Sequence, residues 1–388
     1  MEFANFKGLR NNVSWERQEM GDLSAADNVY LDDTGRVARR DGVTELVAGA
    51  AHSIWAEDDI CLYVQGTTLY RFLPDDTSET IRTDMSGEPV AYHKSAGTVY
   101  YSDGIVSGAY SEFHGSMSWG VQEPDTLSTS IVAGNLPAGR YGYTATHSDA
   151  LGRESGAVGF GMVELTEQGG IEFALPEWAD PLAINIYVTH ADGDTYYLLT
   201  TLESGTAAVH NSQKNLYLPL NTAFKSQPPE GSIVSSYRGH LLIADGSWVF
   251  YSEPYAYHLF DKRSYLPFED EVAIVAPVAD GIFVATREKT YFLAGTSPKE
   301  LQLRTVAEHG AIKGSLTYCE STDIGGLERV PSQPLAIWSS EAGICAGGNE
   351  GLFINLTESR YKFDEVNDRG ASVLLDMGGS KQFITSIL

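Results

Sequence analysis

Val234-Ser-Ser-Tyr-Arg-Gly-His-Leu-Leu-Ile-Ala-Asp-Gly-Ser-Trp-Val-Phe-Tyr-Ser252 reads as strand, turn, strand, turn, strand. Arg238-Gly239 and Asp245-Gly246 supply the turns, since a two-residue hairpin loop needs residues that tolerate positive φ. The runs between them are apolar at successive positions rather than alternate ones, the texture of strands covered on both faces. Ala273–Leu293 repeats this plan, and so do His52–Phe72, Val90–Tyr110 and Leu335–Leu356. The first two copies start about 38 residues apart and the third and fourth about 39, the spacing of four-stranded propeller blades. The second and third lie about 143 apart, so about 105 residues of another kind interrupt the series. The expected fold is all-β: a β-propeller of five to six blades interrupted by a β-sandwich.

The interruption has its own texture. Arg140–His147 alternates strictly over Tyr141, Tyr143 and Ala145, and strands follow near Gly156–Leu165, Gly170–Leu175, Ala183–Thr189 and Thr195–Thr201. Short alternating strands in this number point to an immunoglobulin-like or fibronectin III-like sandwich. Without an antibody-type Cys pair, the fibronectin-like variety is favoured. Gln227-Pro-Pro-Glu-Gly231 reads as the exit linker. The expected division is an N-terminal arm over 1–27, a first propeller part over 28–123, the inserted sandwich over 124–229 and a second propeller part over 230–388. Asn28–Gly42 is expected to form a hairpin. Lys299–Val330 is read as a further strand pair with a longer loop.

The chain has 388 residues, 43% of them hydrophobic, and 52 acidic against 26 basic groups for a net charge of −26. A protein that grips nucleic acid through phosphates needs dense Lys and Arg, so that class is disfavoured. No apolar run approaches the ~20 residues of a membrane span, so no membrane-spanning segment is expected. The first twenty residues lack the apolar core of a secretory signal. Cys61, Cys319 and Cys345 form no CxxC pair, which argues against a disulfide framework or a thiolate metal clamp.

Signals for catalysis are weak. Asp32-Asp33, Asp58-Asp59, Asp75-Asp76 and Glu269-Asp270-Glu271 flank turns, where carboxylates close the turn or stay solvated. The nine histidines never fall at HxH, HxxxH or HExxH spacing. Ala191-Asp-Gly-Asp-Thr195 lacks the rest of a calcium loop. Gly156-Ala-Val-Gly-Phe-Gly161 does not link a strand to a helix, so its glycines mark a bend or close packing instead of a phosphate cradle. No catalytic residue, cofactor or metal is assigned, and the chain is read as no enzyme.

The opening, with Phe6-Lys-Gly-Leu9, Asn11-Asn-Val-Ser14, Glu16-Arg17, Asn28-Val29, Asp32-Asp-Thr-Gly-Arg36 and Arg39-Arg-Asp-Gly42, resembles that of certain bacteriophage virion proteins. A split propeller with a sandwich insert is similar in layout to phage tail nozzle or hub proteins. The resemblance implies a structural virion protein, assembled in the host cytoplasm as a ring below the head-to-tail adaptor. In that setting copies of the chain, a hexamer in the simplest case, surround the DNA exit channel and meet the adaptor and tail fibre or spike proteins. Six copies would carry on the order of −150 charges, a wall past which double-stranded DNA slides without specific binding.

Three residue groups are candidates for contact. Lys7, Arg10, Arg17, Arg36, Arg39 and Arg40 are a basic exception to the acidic balance. They suit a subunit or adaptor contact, a DNA contact or a solvated hairpin face. Asp58, Asp59, Asp75 and Asp76 are candidate channel-facing acids. Tyr255, Tyr257, Phe260 and Tyr265, in an aromatic-rich stretch read as loop between blades, suit a partner or carbohydrate, or else inter-blade core. Two other functions stay open: a host-surface receptor or glycan-binding tail module, and a propeller glycoside hydrolase with convergent carboxylates.

Overall fold

The computed structural model describes residues 6–31, 35–40, 42, 44–157, 159–175, 182–324, 327, 330–363, 368–377 and 380–387. Among these residues the chain is all-β, with no α-helix and only short 3-10 turns. Five antiparallel sheets follow one another. The first holds Ala51–Glu57, Ile60–Gln65, Thr68–Phe72 and Ser78–Arg82; the second holds Ala91–Ser95, Thr98–Ser102, Ser107–Ser111 and Gly115–Met117. The third holds Ile233–Tyr237, His240–Asp245, Trp248–Glu253 and Ala256–Pro267; the fourth holds Val272–Val278, Gly281–Thr286, Thr290–Ala294 and Gln302–Ala307. The fifth holds Thr317–Glu320, Pro334–Ser340, Gly343–Gly348 and Leu352–Asn355, and a terminal hairpin pairs Gly370–Met377 with Ser380–Ile387. In every sheet the spatial order of these strands is their chain order, the strand plan of propeller blades.

Tight turns make the plan possible. Ala96-Gly97 and Arg238-Gly239 each hold two successive positive φ angles, 49° and 79° in one and 50° and 81° in the other. That is the type I′ geometry whose twist matches the flanking strands. The sheets then stack on their neighbours through dry clusters. Leu62, Val64 and Leu69 meet Val99, Tyr101 and Tyr110 between the first and second sheets. Trp119 packs with Val234, Leu241, Ile243 and Phe260 between the second and third. Leu242 and Val249 meet Val275 and Ile282 between the third and fourth. Phe283 and Phe292 meet Trp338 and Cys345 between the fourth and fifth. Leu374 and Phe383 of the terminal hairpin pack on Leu335 and Ile337.

Between the second and third sheets the chain makes a separate two-sheet body. Ser128–Leu136, Gly169–Ala174 and Ala207–His210 form one sheet; Gly161–Leu165, Gly139–Ser148, Ala183–Thr189 and Tyr196–Leu202 form the other. The alternation of Tyr141, Tyr143 and Ala145 aims these side chains at Ile171 and Phe173 of the facing sheet. The other face of the four-stranded sheet is polar yet buried at Thr144, Thr146 and Thr189. It is satisfied in part by Glu154, which accepts hydrogen bonds from Thr146 Oγ1 at 2.5 Å and Tyr187 OH at 2.7 Å.

This body is fastened to the stacked sheets. Arg153 donates to the carbonyls of Ser118 and Trp119 at 3.1 and 3.0 Å, and Gln227 donates twice to Glu123. Lys225–Ser226 adds a fifth strand to the outer edge of the third sheet, where Lys225 pairs with Glu253 and Asp261. That addition covers a strand edge that would otherwise invite pairing.

Four local readings change. The aromatic stretch from Tyr257 to Tyr265 is a strand, Ala256–Pro267, not a loop, because it completes the third sheet. Lys299–Val330 does not hold a strand pair: Gln302–Ala307 closes the fourth sheet and Thr317–Glu320 opens the fifth. The strand expected from Gly156 begins at Gly161. A Cβ at Gly156 would lie 1.8 Å from the Lys225 carbonyl oxygen, so this glycine serves close backbone packing. The terminal hairpin was not anticipated, since Val373-Leu374-Leu375 is an apolar run of three with no alternation to mark a strand.

Candidate functional site

The first strands of successive sheets are neighbours: Ala51–Glu57 beside Ala91–Ser95, then Ile233–Tyr237, then Val272–Val278. Charged residues that precede several of these strands converge at one end of the stack. Lys313 Nζ lies 3.0 Å from Glu271, Arg369 Nη1 lies 3.0 Å from Glu88, and Arg287 Nη1 lies 2.5 Å from Asp368. Lys313 and Arg369 are further joined by a backbone bridge. Between them is a cavity of about 350 Å³ whose lining includes Glu271, Arg287, Lys313, Glu341 and Arg369. Each cation here is paired with a carboxylate, so the arrangement clasps segments together, and Glu341 is the carboxylate of the lining outside these pairs. Of these residues only Glu271 was singled out from the sequence, within the acidic run Glu269-Asp270-Glu271. The available signal was a charge placed just before the first strand of a repeat.

The basic candidates divide into two sets. Lys7 pairs with Glu19 at 2.9 Å, and Arg10 pairs with Asp22 at 3.1 Å. Asp22 also accepts from the Glu19 backbone N–H at 2.9 Å and from Arg360 at 2.7 Å. The Glu19 N–H, with the two guanidinium groups, holds the Asp22 carboxyl at about 2. Asn11 is a clamp: its amide donates to the Lys362 carbonyl at 2.7 Å and its oxygen accepts from the Lys362 N–H at 3.0 Å. Lys7 and Arg10 are therefore spent inside the arm. Arg17, Arg36, Arg39 and Arg40 are exposed, the last three around the two-stranded hairpin Val29–Leu31 with Val37–Arg39.

The acidic candidates all sit at the end of the first sheet opposite the ion-pair cluster. Asp58 and Asp59 occupy its first turn and Asp75 and Asp76 its third. Asp58 and Asp76 hold positive φ, 51° and 63°, which short polar side chains tolerate. Asp58 pairs with Lys94, while Asp75 accepts from the Thr77 hydroxyl and backbone N–H, which lowers its pKa. Turn closure accounts for these three.

Among the aromatic candidates Phe260 is corrected to core: it is 2% exposed and packed in the cluster with Trp119. Tyr257 is also inward, edge-on to Tyr100 at 5.7 Å, with its carbonyl accepting from Trp119 Nε1. Three positions apart, the two would face opposite ways in a regular strand, and the register shift opposite Ser252 and Glu253 lets both meet the same cluster. Tyr255 is 81% exposed at a turn, and Tyr265 stands on the outer face edge-on to Trp248 at 4.7 Å.

Among the described residues no group of His, Cys, Asp and Glu could hold a metal ion. The cysteines are free, and burial pushes the Cys345 thiol up to about 12 and that of Cys319 to about 11, which leaves both un-ionised at neutral pH. No helix is long and apolar enough to cross a membrane.

No protein-family model matches the chain, and no curated protein matches it in sequence. Among solved structures it is similar to a streptogramin B lyase at 10% identity and a TM-score of 0.33, covering 87% of this chain and 93% of that one. It is similar to the WD40 domain of Neurospora crassa Pan2 at 12% identity and a TM-score of 0.34, covering 87% and 89%. The third is BBS1N in complex with ARL6DN, at 9% identity and a TM-score of 0.31, covering 90% and 96%. Likeness this distant carries no argument about what the chain does.

Proposed function

We propose that this chain is a non-enzymatic structural protein of a bacteriophage tail, whose copies form a ring around the path of the DNA. In this reading the five stacked sheets and the terminal hairpin close into a propeller of six blades, the last one incomplete. The two-sheet body is an immunoglobulin- or fibronectin-like insert grown from the connection between the second and third blades. The observation that carries the reading is the distribution of charge. The chain as a whole holds −26, while Arg36, Arg39 and Arg40 stand exposed together around one hairpin. A basic patch on an acidic body favours head-to-tail contact between copies, which builds rings when the rotation closes. The remaining acidic surface repels phosphate and lets duplex DNA pass.

The glycoside hydrolase reading has less support, because two of the three carboxylates that line the cavity, Glu271 and Asp368, are each paired with a cation, which leaves Glu341. The receptor reading rests on Tyr255 and Tyr265 alone, since Tyr257 and Phe260 are packed inside.

Native mass spectrometry and negative-stain imaging of the full chain at low ionic strength test the proposal. A discrete ring is expected. A monomer at every concentration, or turnover of a chromogenic glycoside lost on a single carboxylate substitution, would overturn it.

A further inference from the structure

Three polar ties fasten the terminal hairpin to the chain before and within the fifth sheet. Lys381 Nζ lies 2.9 Å from Asp323, Ser339 Oγ lies 3.0 Å from Thr385 Oγ1, and the Gly370 N–H donates to the Lys313 carbonyl at 2.8 Å. The first of these ties borders a cavity of about 260 Å³. Its walls come from both sides. Ile337 and Ile344 belong to the middle strands of the fifth sheet, Leu356 follows its last strand, and Leu374 and Phe383 belong to the hairpin. All of these but Ile337 are only partly buried. Protein interiors are packed as densely as organic crystals, with few voids larger than a water molecule. The junction between the fourth and fifth sheets keeps to that rule, with Phe283, Phe292 and Trp338 fully buried. The junction with the hairpin does not.

The lining selects an occupant by polarity. A water held in such a place needs two to four polar partners, and the Ile, Leu and Phe walls offer it none. The two charges in the lining hold each other: Lys381 pairs with Asp323, which also accepts from the Glu320 backbone N–H at 2.9 Å. A charged ligand would have to break that pair or lie unpaired against apolar walls, and either is costly. Cys319 is 8% exposed, and its un-ionised thiol offers no nucleophile for covalent capture. An apolar cavity of about 150 Å³ holds benzene, so this one admits a substituted ring or a molecule of indole size.

We propose that this cavity is a binding site for a small uncharged apolar molecule, a substituted aromatic ring or a short hydrocarbon chain, and that its occupant holds the hairpin on the fifth sheet. Leu374 and Phe383 are at once walls of the cavity and the hairpin's apolar contacts with that sheet, so lifting the hairpin opens the site. Binding and hairpin closure are therefore linked. A ligand held by the closed form alone lowers the open population by the factor by which it saturates the site. The site stands on its own geometry and is independent of the ring reading.

Toluene is the probe, titrated into the full chain and followed by amide exchange. At about ten times its dissociation constant, exchange over Gly370–Met377 and Ser380–Ile387 should slow about 10-fold, with the strands of the first sheet unchanged. Benzoate, the charged counterpart of the same ring, should bind at least about 10-fold more weakly. Ile344→Phe and, separately, Leu356→Phe fill the void from the sheet side. Each should lose the response to toluene, and whichever keeps the wild-type circular dichroism carries the comparison. Absence of protection in the wild-type chain, benzoate binding as tightly as toluene, or equal protection in a folded filled variant would overturn the site.

Discussion

The junction between the fourth and fifth sheets and the link from the terminal hairpin to the segment between the first and second sheets hold strands together by opposite means. At the first, Phe283, Phe292 and Trp338 are fully buried, with Phe283 4.8 Å from Phe292 and 5.9 Å from Trp338 between ring centroids. At the second, Arg369 pairs with Glu88, and both side chains are about half exposed. Burying three aromatic rings removes several hundred square ångströms from water, whereas a solvated ion pair contributes roughly 0–1 kcal/mol. The packed junction is therefore the stronger of the two by far.

The contrast can be broken first at its strong side. Phe283→Ala should cost about 3–5 kcal/mol, read as a lower urea midpoint, because the void is walled by rigid rings. A loss under about 1 kcal/mol would mean that the junction is not the packed interior described above. Gly347→Ala sharpens the point: its Cβ would lie 2.7 Å from the Phe283 ring, so overpacking of about 1–3 kcal/mol is expected.

On the weak side, Arg369→Ala should cost less than about 1 kcal/mol, and the difference from wild type should vanish in high salt. A large, salt-independent loss would show apolar closure after all. The smallest effect on global stability is confined to the arm. Asp22 is held at about 2 in the folded chain, below its ordinary value. Its contribution is therefore present above about pH 4 and lost as pH falls toward 2. Amide exchange over residues 8–23 should accelerate across that window, and Asp22→Asn should remove the pH dependence. Unchanged exchange in wild type would refute the clamp.

Repeat spacing and paired turn residues made the sheets legible, since strand and turn are local and recur with the period of the blade. Ala183–Thr189 could be read to the residue because strict alternation flanked by polar turns leaves one register. The strand at Ala256–Pro267 was hidden by its aromatics, which suit both a loop surface and a buried face. The ion pair between Glu88 and Arg369 was illegible because the two are 281 positions apart, and no local pattern marks them as partners.

The amino-acid sequence by itself determined an acidic all-β chain of repeated short strands, broken once by a body with a different alternation. Only the tertiary structure decided which charges cancel, which aromatics are interior and how the sheets stack on one another. Strand formation depends on neighbours two and four residues away, whereas burial and ion pairing depend on segments that approach only when the sheets stack.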